Sequence, residues 1–177
     1  MQLSEKLLET IRDVNDYPSP GIVFKDITPV LADPVLVKEI VDEMVREFSE
    51  SGIDAIVATE ARGFIFGSML AYALGCRFIP VRKSGKLPYD TRAMDYALEY
   101  GSASIEIHVD AIKPGERILV HDDLLATGGT AGATASLVQS FRGKVVGFSF
   151  LVNLSFLPGE RKLAEGFGLK PHYLVSY

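Results

Sequence analysis

The sequence is poor in the features that mark several large classes of protein. It holds one cysteine, Cys76, in the apolar run Leu74-Gly75-Cys76-Arg77-Phe78-Ile79. A single thiol closes no internal disulfide and agrees with a reducing, cytoplasmic compartment; the ordinary role of such a residue is that of a small buried hydrophobe. There is no basic surplus. The net charge is −5, whereas a nucleic-acid-binding chain shows positive excess. No apolar run approaches the ~20 residues that span a bilayer, and the first residues lack a basic stretch followed by an apolar core. A protein with neither nucleic-acid nor membrane partner is expected, in which any bound anion is small and held by a local cluster. His108, His121 and His172 show no His/Cys/acid spacing of a metal site. No repeat, low-complexity stretch or linker interrupts the chain.

What is present describes one globular domain, residues 1–177, with enough apolar content (47%) for a sizeable core. Leu3, Leu7, Leu8, Ile11 and Val14 recur at helical spacing and predict a short helix ending before the loop Asp16–Gly21. Asp33 as N-cap and Pro34 at the first position open a second helix, with a stripe from Leu36 to Phe48 closed by Gly52. Strands are then expected over residues 53–58, 78–81, 117–121, 145–152 and 172–175, and helices over 63–74, 129–141 and 158–166. That alternation argues for a parallel sheet covered on both faces. Residues 82–95 are polar and basic and read as a loop of about fourteen residues, a length typical of lids. Tyr96–Tyr100 and Ser104–His108 read as a hairpin around Gly101.

The chemistry is concentrated in residues 117–134. An apolar strand runs into Asp122-Asp123, then Ala126-Thr127-Gly128-Gly129-Thr130, then a helix rich in small residues. Ligands bind outside the carboxyl ends of parallel strands. A glycine-rich turn there lets main-chain N–H groups approach an anion, and the helix N-terminus adds partial positive charge. The loop has no lysine, which excludes a nucleotide P-loop, and no Gly-x-Gly-x-x-Gly run follows a first strand. Two carboxylates beside a phosphate cradle would repel phosphate unless they face something else. Ribose hydroxyls and a hydrated Mg²⁺ both suit them. Phosphate on one side and a diol on the other describes ribose 5-phosphate.

The run Val120-His121-Asp122-Asp123-Leu124-Leu125-Ala126-Thr127-Gly128-Gly129-Thr130 resembles the motif with which type I phosphoribosyltransferases bind phosphoribosyl pyrophosphate (PRPP). Pro20–Ile27, Ala61–Gly67, Arg82–Pro88 and Leu98–Gly101 resemble further segments of that family in the same order, in particular of its members that act on adenine. The resemblance implies an α/β fold with a central, mostly parallel twisted sheet and helices on both faces. It also implies a small N-terminal hood over residues 1–30 and a flexible catalytic loop and hairpin, residues 82–108, over the active site.

The same resemblance implies transfer of the phosphoribosyl group from PRPP to adenine, giving AMP and pyrophosphate, with Mg²⁺ and as a homodimer. Asp122, Asp123, Ala126, Thr127, Gly128, Gly129 and Thr130 would hold the ribose and its phosphate. Glu60, Ala61, Arg62, Arg82, Lys83 and Lys86 would hold pyrophosphate, with a cis peptide between Glu60 and Ala61. Arginine suits bidentate phosphate binding. Val23, Phe24 and Lys25 would read adenine, and Glu99 would accept its proton with Tyr100 nearby. The metal would be carried mainly by PRPP or pyrophosphate and water, near Asp122 and Asp123, with no direct protein ligand. Relatives often have arginine where this chain has Lys25, and an apolar residue where it has His121. A sister activity on 6-oxopurines would call for a lysine near Phe150–Leu154, where none stands; a non-catalytic PRPP or nucleobase sensor would carry an added DNA-binding domain and a basic face.

Overall fold

The computed structural model describes residues 1–97 and 101–177, which fall into two compact units, Met1–Glu43 and Met44–Tyr177. In the first, α1 (Leu3–Thr10) is followed by β1 (Arg12–Asn15), β2 (Val23–Asp26) and the single-turn α2 (Thr28–Leu31). The helix predicted to reach Val14 stops at Thr10, because the chain turns extended at Ile11 and Val14 pairs with Phe24 in the antiparallel β1–β2 ribbon. Apolar spacing of three fits a helix, but strand pairing consumes the same residues. The helix α3 (Pro34–Phe48) starts where expected. Asp33 Oδ1 accepts the N–H groups of Val35 and Leu36 at 2.9 and 3.1 Å, the N-cap arrangement. Leu36, Ile40, Met44 and Phe48, four apart, form its buried stripe.

In the second unit the chain runs β3 (Ala55–Thr59), α4 (Gly63–Leu74), β4 (Arg77–Lys83), β5 (Thr91–Ala97), β6 (Ser102–His108), β7 (Arg117–Leu125), α5 (Gly129–Ser140), β8 (Lys144–Asn153), α6 (Gly159–Phe167) and β9 (His172–Ser176). The sheet order is β5-β6-β4-β3-β7-β8-β9. Strands β4, β3, β7, β8 and β9 are parallel, and β6 and β5 are added antiparallel at one edge. Half of the expected 82–95 loop is therefore strand. Arg82 and Lys83 end β4, a turn spans residues 84–90, and β5 starts at Thr91. Its polar alternation hid it, since an edge strand needs only one apolar face. A hairpin is present, with Ala97 opposite Ser102, but its first strand starts at Thr91, not Tyr96, and its second at Ser102, not Ser104. Leu98, Glu99 and Tyr100 lie outside the described residues.

From β3 the chain crosses to β4 on one side, and from β7 it crosses to β8 on the other. Both crossovers must be right-handed, so α4 and α5 cover opposite faces. Burial agrees. On one face Ala55, Val57 and Ile118 pack with Ala133 and Leu137 of α5. On the other, a methyl group added at Gly67 of α4 would lie 2.8 Å from Ala58 Cβ and 3.2 Å from His121 Cδ2. Between β3 and β7 the direction of winding reverses, and a crevice opens at their carboxyl ends, the place where open α/β sheets bind ligands.

Candidate active site

Two adjoining hollows occupy that crevice. The first, of about 220 Å³, is lined by Thr59 at the end of β3 and Glu60–Arg62 after it, by Arg82 and Lys83 at the end of β4, by Tyr96, and by Asp122, Asp123, Leu124 and Thr130. The second, of about 80 Å³, is formed by Leu124–Ala131 with Asp122. Asp122, Leu124 and Thr130 belong to both. A larger cleft of about 320 Å³ between β5, α5 and α6 shares Tyr96 and Gly129 but holds neither the acid pair nor the basic residues, so size alone does not locate the chemistry.

The smaller hollow is the loop before α5. Gly128 caps the helix at φ +75°, a left-handed conformation that favours glycine. The first N–H groups of a helix lack partners within it and point at whatever sits before them. The loop is braced from behind: Gly159 N–H donates to Ala126 O at 3.1 Å. Gly159 was not anticipated; the only signal was its place after Pro158 at a helix start. Thr130 Oγ1 donates to Tyr96 Oη at 3.3 Å, joining the loop to β5.

The acids do not follow β7, as expected, but belong to it: Asp122 lies opposite Phe150, and pairing continues to Leu125. Successive strand residues point to opposite faces. Asp122 Oδ1 comes within 2.8 Å of where a Gly63 methyl would stand, and Asp123 Oδ2 meets Arg62 Nε at 2.9 Å. Burial, then the neighbouring Asp123 charge, raises the Asp122 pKa well above the usual carboxylate range. Burial also raises Asp123, against the pull of Arg62.

The peptide Glu60–Ala61 is cis. Glu60 Oε1 accepts the Lys83 N–H at 2.6 Å, and Oε2 lies 3.1 Å from Arg82 Nη2 and 3.5 Å from Lys86 Nζ. Burial alone would raise the Glu60 pKa, but the Lys83 N–H, the Arg82 guanidinium and Lys86 together hold it below the usual range. Arg92 is engaged elsewhere: it donates to Ser140 O at 2.6 Å and covers the Phe141 ring at 4.1 Å. Among the described residues no group of three or more His, Cys, Asp or Glu could hold a metal ion.

In the first unit, Val23, Phe24 and Lys25 lie on β2, whose sheet has only two strands. Tyr17 meets Phe24 edge to face at 5.2 Å. The Lys25 ammonium is nearly buried and paired with Asp13 at 2.6 Å. His121, left without a role by sequence, lies fully buried beneath α4 with Nδ1 3.2 Å from Ser149 Oγ. Burial lowers its pKa to about 4, so it is neutral. His172 Nε2 lies 3.9 Å from Glu47, and His108 meets Tyr89 edge to face.

The phosphoribosyl transferase domain family matches residues 29–163. A protein of Acidothermus cellulolyticus named adenine phosphoribosyltransferase is 54% identical over 161 residues, 91% of each chain. Among solved structures, the adenine phosphoribosyltransferase of Rhodothermus marinus is 48% identical, covers 99% of this chain and 98% of its own, and superposes with a TM-score of 0.93. That of Saccharomyces cerevisiae, complexed with an imino-altritol bisphosphate and adenine, is 37% identical over 97% and 98% of the two chains, with a TM-score of 0.89.

Proposed function

The chain belongs to the adenine phosphoribosyltransferases, and from that membership we propose how its crevice performs the transfer of phosphoribose from PRPP to adenine, giving AMP and pyrophosphate. The observation that carries the reading is the shared wall. Asp122 borders both hollows, so a ligand with phosphate in the loop presents its ribose to the acid pair and its pyrophosphate to Arg62, Arg82 and Lys83.

As the C1–oxygen bond of PRPP stretches, the sugar becomes cationic and pyrophosphate gains negative charge. The main-chain N–H of Ala61, with Arg62, Arg82, Lys83 and Lys86, stabilises the leaving group. Asp122 and Asp123 hold the ribose diol and set negative charge beside the developing cation. The loop Ala126–Thr130 binds the 5-phosphate, a remote handle that fixes orientation. The two neighbouring carboxylates suit a hydrated Mg²⁺ carried in by the substrate, whose charge would favour their ionised forms against the burial that raises their pKa. Such an ion, when bound, neutralises charge on the leaving group.

Adenine is read by main-chain groups of Val23 and Lys25 along β2, whose second edge faces no strand among the described residues, and by the ring of Phe24. The Lys25 side chain is held by Asp13, so this position serves through its main chain. Glu99, in the connection between β5 and β6, takes the proton from the base, with Tyr100 beside it. We propose that residues 1–177 act as one catalytic domain and that the protein is a cytoplasmic homodimer. Helix α4 supports the dimer: it carries no charged residue, yet Met69 and Tyr72 stand exposed on it. The free thiol Cys76 suits a reducing compartment.

The test offers PRPP and Mg²⁺ with adenine, hypoxanthine or guanine separately. AMP and pyrophosphate from adenine alone are expected; turnover of a 6-oxopurine instead overturns the assignment of Val23–Lys25.

A further inference from the structure

The turn that carries the basic residues is built around a carboxylate that none of the roles above uses. Glu106 sits on β6, in register with Arg82 on one side and Ala93 on the other, and is 5% exposed. Its Oε1 accepts the N–H groups of Gly85, Lys86 and Leu87 at 3.0, 3.2 and 3.2 Å. Its Oε2 accepts the Thr91 hydroxyl at 3.1 Å. Successive main-chain N–H groups converging on one point form an anion nest. Here a side chain of the protein fills it.

The cations around this turn face the other way. Arg82 and Lys86 reach Glu60 at the cavity wall, and Arg82 Nη1 also donates to Lys86 O at 3.2 Å. The turn is thus held between two carboxylates. Glu106 fixes its main chain, and Glu60 gathers its charged side chains. A buried carboxylate with four neutral donors adds no ion pair to the fold. What it determines is where residues 83–87 lie.

We infer that Glu106 is a positioning residue for the pyrophosphate half of the site, setting Lys83 and Lys86 through the main chain of Gly85–Leu87. This rests on the pyrophosphate role proposed for those lysines. Without the carboxylate, three N–H groups lose their acceptor, the turn rearranges, and the lysines lose their aim. The phosphate loop, which Glu106 does not touch, keeps its shape.

The test is steady-state kinetics in both directions on wild type, Glu106→Ala, Glu106→Gln and Thr91→Val, with pyrophosphate binding followed by calorimetry. Glu106→Ala raises KM for PRPP and for pyrophosphate on the order of tenfold or more, the effect outer partners have on the ligands they orient. KM for AMP and for adenine stay near wild type. Glu106→Gln keeps an oxygen toward the turn and restores most of the loss. Thr91→Val, which removes one donor of four, gives a smaller change with the same selectivity and serves if Glu106→Ala does not fold. Unchanged PRPP and pyrophosphate constants in Glu106→Ala, or in Thr91→Val where the alanine variant is insoluble, overturn the inference. So does a fall in kcat with every KM unaltered, which marks only a loss of folded protein. A wild type that binds pyrophosphate but makes no AMP refutes the adenine reading instead.

Discussion

Gly159 lies directly behind Ala126: its N–H donates to the Ala126 carbonyl at 3.1 Å, and a Cβ on it would come 2.3 Å from that oxygen. The start of α6 therefore sets the height of the phosphate loop, and only a residue without a side chain can do so. In Gly159→Ala the loop must move. AMP and PRPP affinities should both fall by the equivalent of roughly 1–3 kcal/mol, the usual cost of overpacking, while pyrophosphate affinity measured alone stays constant. Calorimetric titration with the three ligands checks this.

Asp122→Asn should separate stability from activity. The raised pKa means that ionised Asp122 is penalised in the folded state. That penalty sets in as pH rises through the unfolded-state value and is complete above the folded-state value. The amide removes it, so the variant should be more stable at neutral pH by roughly 0.5–2 kcal/mol, a gain common when a functional strain is relieved, and lose that advantage in strong acid. Its turnover should fall sharply. Denaturant unfolding at neutral and at acid pH measures the first part.

His121 predicts a different pH response. A histidine held neutral down to about 4 against an ordinary 6.5 leaves the unfolded chain to bind the proton first. Stability is full above 6.5 and declines as pH falls toward 4, with a loss of about 2 kcal/mol by pH 5 from this residue. His121→Leu should flatten that slope between pH 7 and 5. A slope equal to that of wild type would mean the imidazole is not buried neutral.

Arg62 meets Asp123 through Nε at 2.9 Å, and the proposed pyrophosphate is a second anion competing for the same guanidinium. Lysine offers one point charge and cannot serve both. Arg62→Lys should lower kcat/KM for PRPP by about 10²-fold, the size of effect seen when a preorganised donor to developing charge is lost. Initial-rate measurements across PRPP concentration decide it.

The elements most legible in the sequence were those whose signals are local. Helix α4 runs over Gly63–Leu74 as read, because glycines bracket a continuous apolar stretch. The Asp33 cap and the loop Ala126–Thr130 likewise carry their chemistry in adjacent residues. What escaped depends on distant partners. Val14 became strand because Phe24 pairs with it. Residues 91–95 became strand because β6 offered an edge. In the sequence Glu106 falls within the expected strand 104–108 and Gly159 within the expected helix 158–166; only the fold brings them to Gly85–Leu87 and Ala126. Glu99 remains a reading of sequence.

The pairs Arg62–Asp123 and Arg82–Glu60 have a consequence for how ligands arrive. These guanidinium groups are not bare charges waiting for a polyanion; each already has a counterion from the protein. An incoming pyrophosphate moiety changes their partners more than it changes the local sum of charge. Entry should therefore be a rearrangement of existing contacts, with association only weakly sensitive to ionic strength, and the displaced carboxylates are ready to reclaim the cations when the product leaves.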